Sequence, residues 1–311
     1  MNADAVTPGK MAVLLVGVLA CSTAVLFIKA GQAPPVTVAV WRLAIAAVAL
    51  SPLFFRALRA NPGGFTLRHL ASVVAPAAML TLHFWSWIYG ARFTTAANAT
   101  LLTNLAPAVM PLALFILIRE KPKQMEIVGT VVALAGVLLL TLGGLRVDGS
   151  TLFGDAVCTA SMVGATFYLA LARLNRHFTS VWLYIVPVYA VAALFGALLA
   201  SVTSGPRILL VSDPMEWLWI LGLAFIPTVV GHSSLNRSMR VMRPQVVSVF
   251  SLGQFLSAGV LGWLLFGELP APLFYPAALL MVIGSCIVIG IRRRRGRGRV
   301  VQAAAGVDAN G

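Results

Sequence analysis

Residues 100–136 read TLLTNLAPAVMPLALFILIREKPKQMEIVGTVVALAG. An apolar run broken by two prolines stops at Arg119-Glu120-Lys121-Pro122-Lys123, and a second apolar run follows at once. Moved along by 148 residues, the pattern returns at 248–284 as SVFSLGQFLSAGVLGWLLFGELPAPLFYPAALLMVIG. Glu120-Lys-Pro122 falls on Glu268-Leu-Pro270, Gly136 on Gly284, and Thr100 and Thr103 on Ser248 and Ser251. The same shift carries Arg92 onto Arg240 and Ser86 onto Ser234. Charged, hydroxyl, proline and glycine positions align without a gap, so the chain reads as two related halves.

The composition sets what those halves are. Of 311 residues, 59% are hydrophobic and 10% charged. A soluble domain is roughly half apolar and a quarter charged, and a chain of this length could not enclose so much apolar surface in water. This excludes an ordinary soluble enzyme, a disordered chain and a nucleic-acid-binding module, and predicts an all-α polytopic membrane protein. Turn residues and charge runs cut the sequence into ten apolar segments: 11–31, 36–55, 69–90, 95–118, 124–143, 150–172, 180–202, 215–236, 244–267 and 270–291. Each has about 20 residues, the length of a helix across a ~30 Å hydrocarbon core. Residues 1–10 precede the first five-helix repeat (11–143), the second repeat spans 150–291, and 292–311 form a basic tail. Residues 11–31 read as a retained span rather than a cleaved signal, because the repeat needs them.

The net charge of +14 reports topology rather than a nucleic-acid partner. With the N-terminus in the cytoplasm, 18 of the 23 Lys and Arg side chains fall on the cytoplasmic side, six of them in the tail from Arg292. Lys29, Arg92, Arg146 and Arg207 fall on the other side, and Arg42 lies within a span. Lys and Arg collect on the cytoplasmic side of membrane proteins, so both termini are expected there, in the inner (plasma) membrane. Five spans per half is an odd number, so the second half enters from the opposite face. Inverted-topology repeats of this kind are a transporter architecture.

Ten spans in a five-plus-five repeat resemble the drug/metabolite transporter superfamily, EamA type. Trp41-Arg42 in the second span, the Glu-x-Pro ends of the fourth and ninth spans, and Pro107-x-x-x-Pro111…Glu120 followed by Gly129 and Gly136 carry the resemblance. It covers roughly residues 11–291. It implies export of amino acids and related small metabolites, and one branch, the exporters of aromatic amino acids, is the nearest in appearance. The second half departs from the pattern: Pro107 and Pro111 align with Phe255 and Gly259.

Polar groups are expensive in a bilayer and so face a cavity or a neighbouring helix. Thr100, Thr103, Asn104, Pro107 and Pro111 share one face of the fourth span, and Ser248, Ser251, Phe255 and Gly259 the matching face of the ninth. They are expected to line a midplane substrate cavity; close packing by small residues is the competing reading. Pro107 and Pro111 would kink a gating helix. In the third span His83, Ser86 and Trp87 share a face suited to an amphipathic organic substrate, with Tyr89 in the interfacial belt. Ser234 and His232 form a second polar patch. Tyr168 either lines the cavity or fills a gap, and Gln254 must bond either a helix or a substrate. Arg42, roughly 10 Å into its span at 1.5 Å per residue, is expected to snorkel in a structural role, with attraction of a substrate carboxylate the alternative.

No Asp or Glu is expected mid-span, so proton coupling, if the carrier is coupled, falls to His83 or His232. The alternatives are an uncoupled, channel-like facilitator or a multidrug exporter of another solute. No nucleophile–base pair, metal cluster or phosphate loop is present at usable spacing, which argues against a membrane-embedded enzyme. The three cysteines read as small buried apolar residues. No cofactor or metal is expected; the partners are a small-molecule substrate and membrane lipid.

Overall fold

The computed structural model describes residues 7–288 except 148, 176, 242–246, 248 and 249. Ser248 and the basic tail therefore lie outside the described residues. What is described is helical. The helices are α1 (Pro8–Ser22), α2 (Ala24–Ala30), α3 (Pro35–Ala60), α4 (Leu67–Gly90), α5 (Ala96–Thr103), α6 (Ala106–Ile118), α7 (Gln124–Val147), α8 (Gly149–Leu174) and α9 (Val181–Ser204). After these come α10 (Pro214–Leu223), a π-helical segment (Ala224–His232), α11 (Ser233–Val241), α12 (Gln254–Phe266) and α13 (Phe274–Val288).

Six of these segments are long and apolar enough to cross a membrane, counting Pro8–Ala30 and Pro214–Leu235 as single spans. The pair α5–α6, bent by 41°, makes a seventh if taken as one span. The fifth, ninth and tenth expected spans show among the described residues as shorter apolar helices, Gln124–Leu140, Phe250–Phe266 and Phe274–Val288.

The breaks have local causes. At the α5–α6 corner Pro107 has no N–H to give the preceding turn. Asn104 Nδ2 turns back to Thr100 O (2.9 Å), and Thr103 Oγ1 to Ala99 O (2.8 Å). In the second half the helix is interrupted at Gly253, whose N–H reaches Phe250 O at 3.0 Å. Gly253 is 148 residues after Leu105. The helices after the two breaks, Ala106–Ile118 and Gln254–Phe266, are offset by the same 148 at both ends. Both stop on a left-handed residue, Arg119 (φ 57°) and Gly267 (φ 67°). Glycine adopts that conformation at no steric cost, whereas arginine does not.

The halves meet along α7 and α13. A Cβ on Gly129 would lie 2.7 Å from Gly284 O, and one on Gly136 would lie 2.8 Å from Ala277 O. Under the 148-residue shift Gly129 maps to Ala277 and Gly136 to Gly284. Each glycine thus touches the mate of the other. Elsewhere α4 packs on α8 and α9, α3 packs on α9, and α1 packs on the π segment and α11. Small residues let these backbones approach, the means by which helices associate in lipid. Thr81 Oγ1 adds an interhelical bond from α4 to Ala192 O on α9 (2.9 Å). Large apolar side chains such as Leu194, Leu198 and Val202 on α9 stay exposed, as a lipid-facing surface requires.

Candidate functional site

A cavity of about 220 Å³ lies where α3, α4, α5, α8 and α9 meet the π segment, the α1–α2 junction and the start of α12. His83, Trp87, Thr100, Thr103 and Asn104 line it from the first half. Tyr168, His232, Ser251 and Gln254 line it from the second. Of the two expected faces, Thr100, Thr103 and Asn104 of the fourth span and Ser251 of the ninth share this space.

Three of the expected site residues stand apart from it. Ser86 is half-buried and gives its hydroxyl to Leu82 O (2.6 Å), so its own helix satisfies it. Ser234 lies against α1, its Cβ 3.1 Å from where a Cβ on Gly17 would be. Phe255 is buried against Phe274, with ring centres 5.9 Å apart. Pro107 is at the bend, and Pro111 lies inside α6 and does not line the cavity.

His83 is held from α8. The Ser161 hydroxyl donates to His83 O (2.9 Å), while His83 Nδ1 lies 2.8 Å from Ser161 Oγ and 3.1 Å from Ser161 O. Because the hydroxyl proton is committed to the His83 carbonyl, we assign the imidazole N–H to Nδ1; Nε2 then carries the lone pair. The ring stacks on Trp87 at an interplanar angle of 9°.

Arg42 departs from the expected snorkelling. It does not reach the outer interface: it is 1% exposed and lines the cavity. Its Nε donates to Thr228 Oγ1 (2.7 Å), its Nη2 lies 3.5 Å from His232 Nε2, and its Cζ sits 4.0 Å from the centre of the Phe84 ring. The π segment makes this possible. Pro227 interrupts the ordinary ladder, Thr228 Oγ1 bonds back to Leu223 O (2.9 Å), and residues 228 and 232 turn to the same guanidinium. Wide helical turns of this kind recur at functional sites. Nothing in the local sequence announces one beyond the proline. Cys21 and Tyr189 also line the cavity, and neither carries a distinguishing sequence signal.

A second polar group lies near one end of the bundle. Lys29 Nζ pairs with Glu268 Oε1 (2.5 Å) and donates to Thr94 O (2.6 Å). The other Glu268 oxygen accepts from Ala96 N–H at the start of α5 (2.8 Å), where a carboxylate meets the positive end of the helix dipole. Asp155 is a buried carboxylate near the start of α8 that the sequence reading does not single out. It sits six residues after Gly149, about 9 Å along α8, and is fully buried. It accepts from Thr94 Oγ1 (2.5 Å) and Asn98 Nδ2 (3.2 Å). Nearby, Glu216 in the first turn of α10 accepts from Gln32 N–H (2.7 Å) and Ala33 N–H (2.8 Å), and Arg92 donates to Ala33 O (2.6 Å). Burial lowers the pKa of Arg92, and Glu216 opposes the shift.

Residues 9–142 match the EamA-like transporter family. The chain is 23% identical over 216 residues to the uncharacterized transporter YetK of Bacillus subtilis (strain 168), covering 67% of this chain and 64% of that protein. It is 26% identical over 184 residues to an uncharacterized transporter of Archaeoglobus fulgidus, covering 59% and 63%. The matched regions span less than two thirds of either relative. A crystal structure superimposes with a TM-score of 0.61 at 18% identity, covering 92% of this chain and 99% of the other, which shows a shared fold. The chain is a multi-pass membrane protein whose residues 9–142 are similar to the EamA-like transporter family.

Proposed function

We propose that this protein is a secondary transporter that exports small organic metabolites, amino acids and aromatic amino acids foremost, by alternating access around the cavity between its halves. One observation carries the reading: a cavity inside the bundle is lined by Thr103 and Asn104 from the first half and by Ser251 and Gln254 from the second. Carriers place their site at a repeat interface, on broken helices, and Asn104 and Gln254 flank the breaks at Leu105 and Gly253. The exchanged contacts of Gly129 and Gly136 support inverted five-helix repeats. The charge distribution supports an inner-membrane protein with both termini in the cytoplasm. His83 and His232 are the residues proposed to carry a coupling proton, if one is moved.

The test is uptake into proteoliposomes holding the purified protein, screened with single amino acids. Saturable uptake of at least one supports the carrier. Uptake that stays linear in concentration for every permeant solute contradicts it.

A further inference from the structure

The cavity wall holds donors that none of the described residues satisfies. Arg42 Nη1 and Trp87 Nε1 are buried and have no hydrogen-bond partner among the described residues, and Thr100 Oγ1 is in the same condition. All three residues line the one cavity. An arginine Nη and an indole nitrogen can only donate, and a buried donor left unpaired is costly. The charge is equally one-sided. Among the described residues that line the cavity none is Asp or Glu, and the described ion pair, Lys29–Glu268, leaves the guanidinium without a counter-charge. A buried cation is strongly disfavoured unless something pairs with it. Arg42 is also fixed in place, by Thr228 at Nε and by Phe84 beneath its plane, and its Cζ lies 5.7 Å from the centre of the Trp87 ring.

We propose that the cavity is a carboxylate site: it takes a small organic acid, whose carboxylate accepts from Arg42 Nη1 and Trp87 Nε1. Planar, bidentate recognition of carboxylates is what a guanidinium does best. The rest of the acid lies among Phe84, Tyr168 and Tyr189. The lining offers no carboxylate for an ammonium group, so the amine of an amino acid is tolerated rather than required. In the transport cycle this assignment rests on the carrier reading above, whereas binding itself does not.

The experiment measures thermal stabilisation of the full-length protein in detergent by 3-phenylpropionate, phenylalanine, phenylalaninamide, phenethylamine and inorganic phosphate. The two carboxylates should raise the melting temperature, and the amide, the amine and phosphate should not. Trp87→Phe keeps the ring and removes the donor; it should weaken 3-phenylpropionate about tenfold, the scale of one lost buried hydrogen bond. Arg42→Lys, which keeps the charge, should weaken it at least as much, and Arg42→Gln should abolish the response. Equal stabilisation by phenylalaninamide or phenethylamine, stabilisation by phosphate alone, no response to either carboxylate, or an undiminished response in Trp87→Phe would each overturn the proposal. Proteoliposome uptake separates the two readings. Saturable uptake of the amide but of neither acid leaves a carrier without a carboxylate site. Stabilisation by the acids with no saturable uptake leaves the site without a carrier.

Discussion

Gly129 and Gly284 face each other across α7 and α13 so closely that a Cβ on Gly284 would lie 2.5 Å from Gly129 O and 2.5 Å from Ala133 N. Those neighbours are backbone atoms and cannot rotate away. Gly284→Ala should therefore force the two helices apart, at a cost of roughly 1–3 kcal/mol. The purified protein should melt several degrees lower. Gly9→Ala, with nothing within 4 Å of the added carbon, is the control and should be neutral. An unchanged melting temperature in Gly284→Ala would show that this contact does not join the halves.

The Lys29–Glu268 pair ties α2 to the turn after α12, with the two side chains 11% and 21% exposed. Lys29→Met and Glu268→Gln should each destabilise the protein, by about 1–3 kcal/mol for a partly buried charged hydrogen bond. Because they remove the same interaction, the double variant should lose less than the sum. Strictly additive losses would mean that the pair contributes nothing as a pair.

The charge bias predicts that the Arg119–Lys123 segment faces the cytoplasm. In a Cys286→Ser background Lys121→Cys should resist an impermeant maleimide added to intact cells and react in inverted vesicles. Cys286 is removed because it is exposed; Cys21 and Cys158 are buried. Efficient labelling from outside would invert the topology.

Thr103 and Ser251 line the cavity from opposite halves. Leucine at either position fills space and removes a hydroxyl, so transport should fall at least tenfold in kcat/KM while the protein stays folded. Val131→Leu, on an outward face at 60% exposure, should be silent. Equal activity in all three would reduce the hydroxyls to helix packing.

His83→Ala should raise the apparent KM about tenfold or abolish transport, since it removes a buried polar partner from the wall. Preserved substrate exchange with no response to an imposed pH gradient would assign it to proton coupling instead. Wild-type KM, rate and pH response would leave His83 a packing residue held by Ser161.

Much of this arrangement is legible in the sequence because it rests on periodicity. Thr100, Thr103 and Asn104 recur on one helical turn, and they line the cavity together. The 148-residue shift reappears in helix ends that share a left-handed residue. What periodicity cannot supply is which of two polar faces meets a neighbour. Ser86 shares a face with His83 yet spends its hydroxyl on Leu82 O, and Phe255, the mate of Pro107, packs on Phe274. Arg42 reads as a snorkelling residue because its depth can be counted, whereas its burial depends on a π turn 186 residues away in the chain. Asp155 escapes notice for the opposite reason. Near the end of a segment a carboxylate reads as solvated, and only the packing of Thr94 and Asn98 over it reveals a buried group.

Trans-stimulation tests the central claim most directly. Proteoliposomes preloaded with unlabelled phenylalanine and diluted into radiolabelled phenylalanine report whether one site is exposed alternately to the two sides. A carrier working through the cavity between the halves should take up label faster into loaded than into empty vesicles. The acceleration should saturate and should vanish in Thr103→Leu. Equal uptake into loaded and empty vesicles, or acceleration that survives Thr103→Leu unchanged, would contradict alternating access through this cavity.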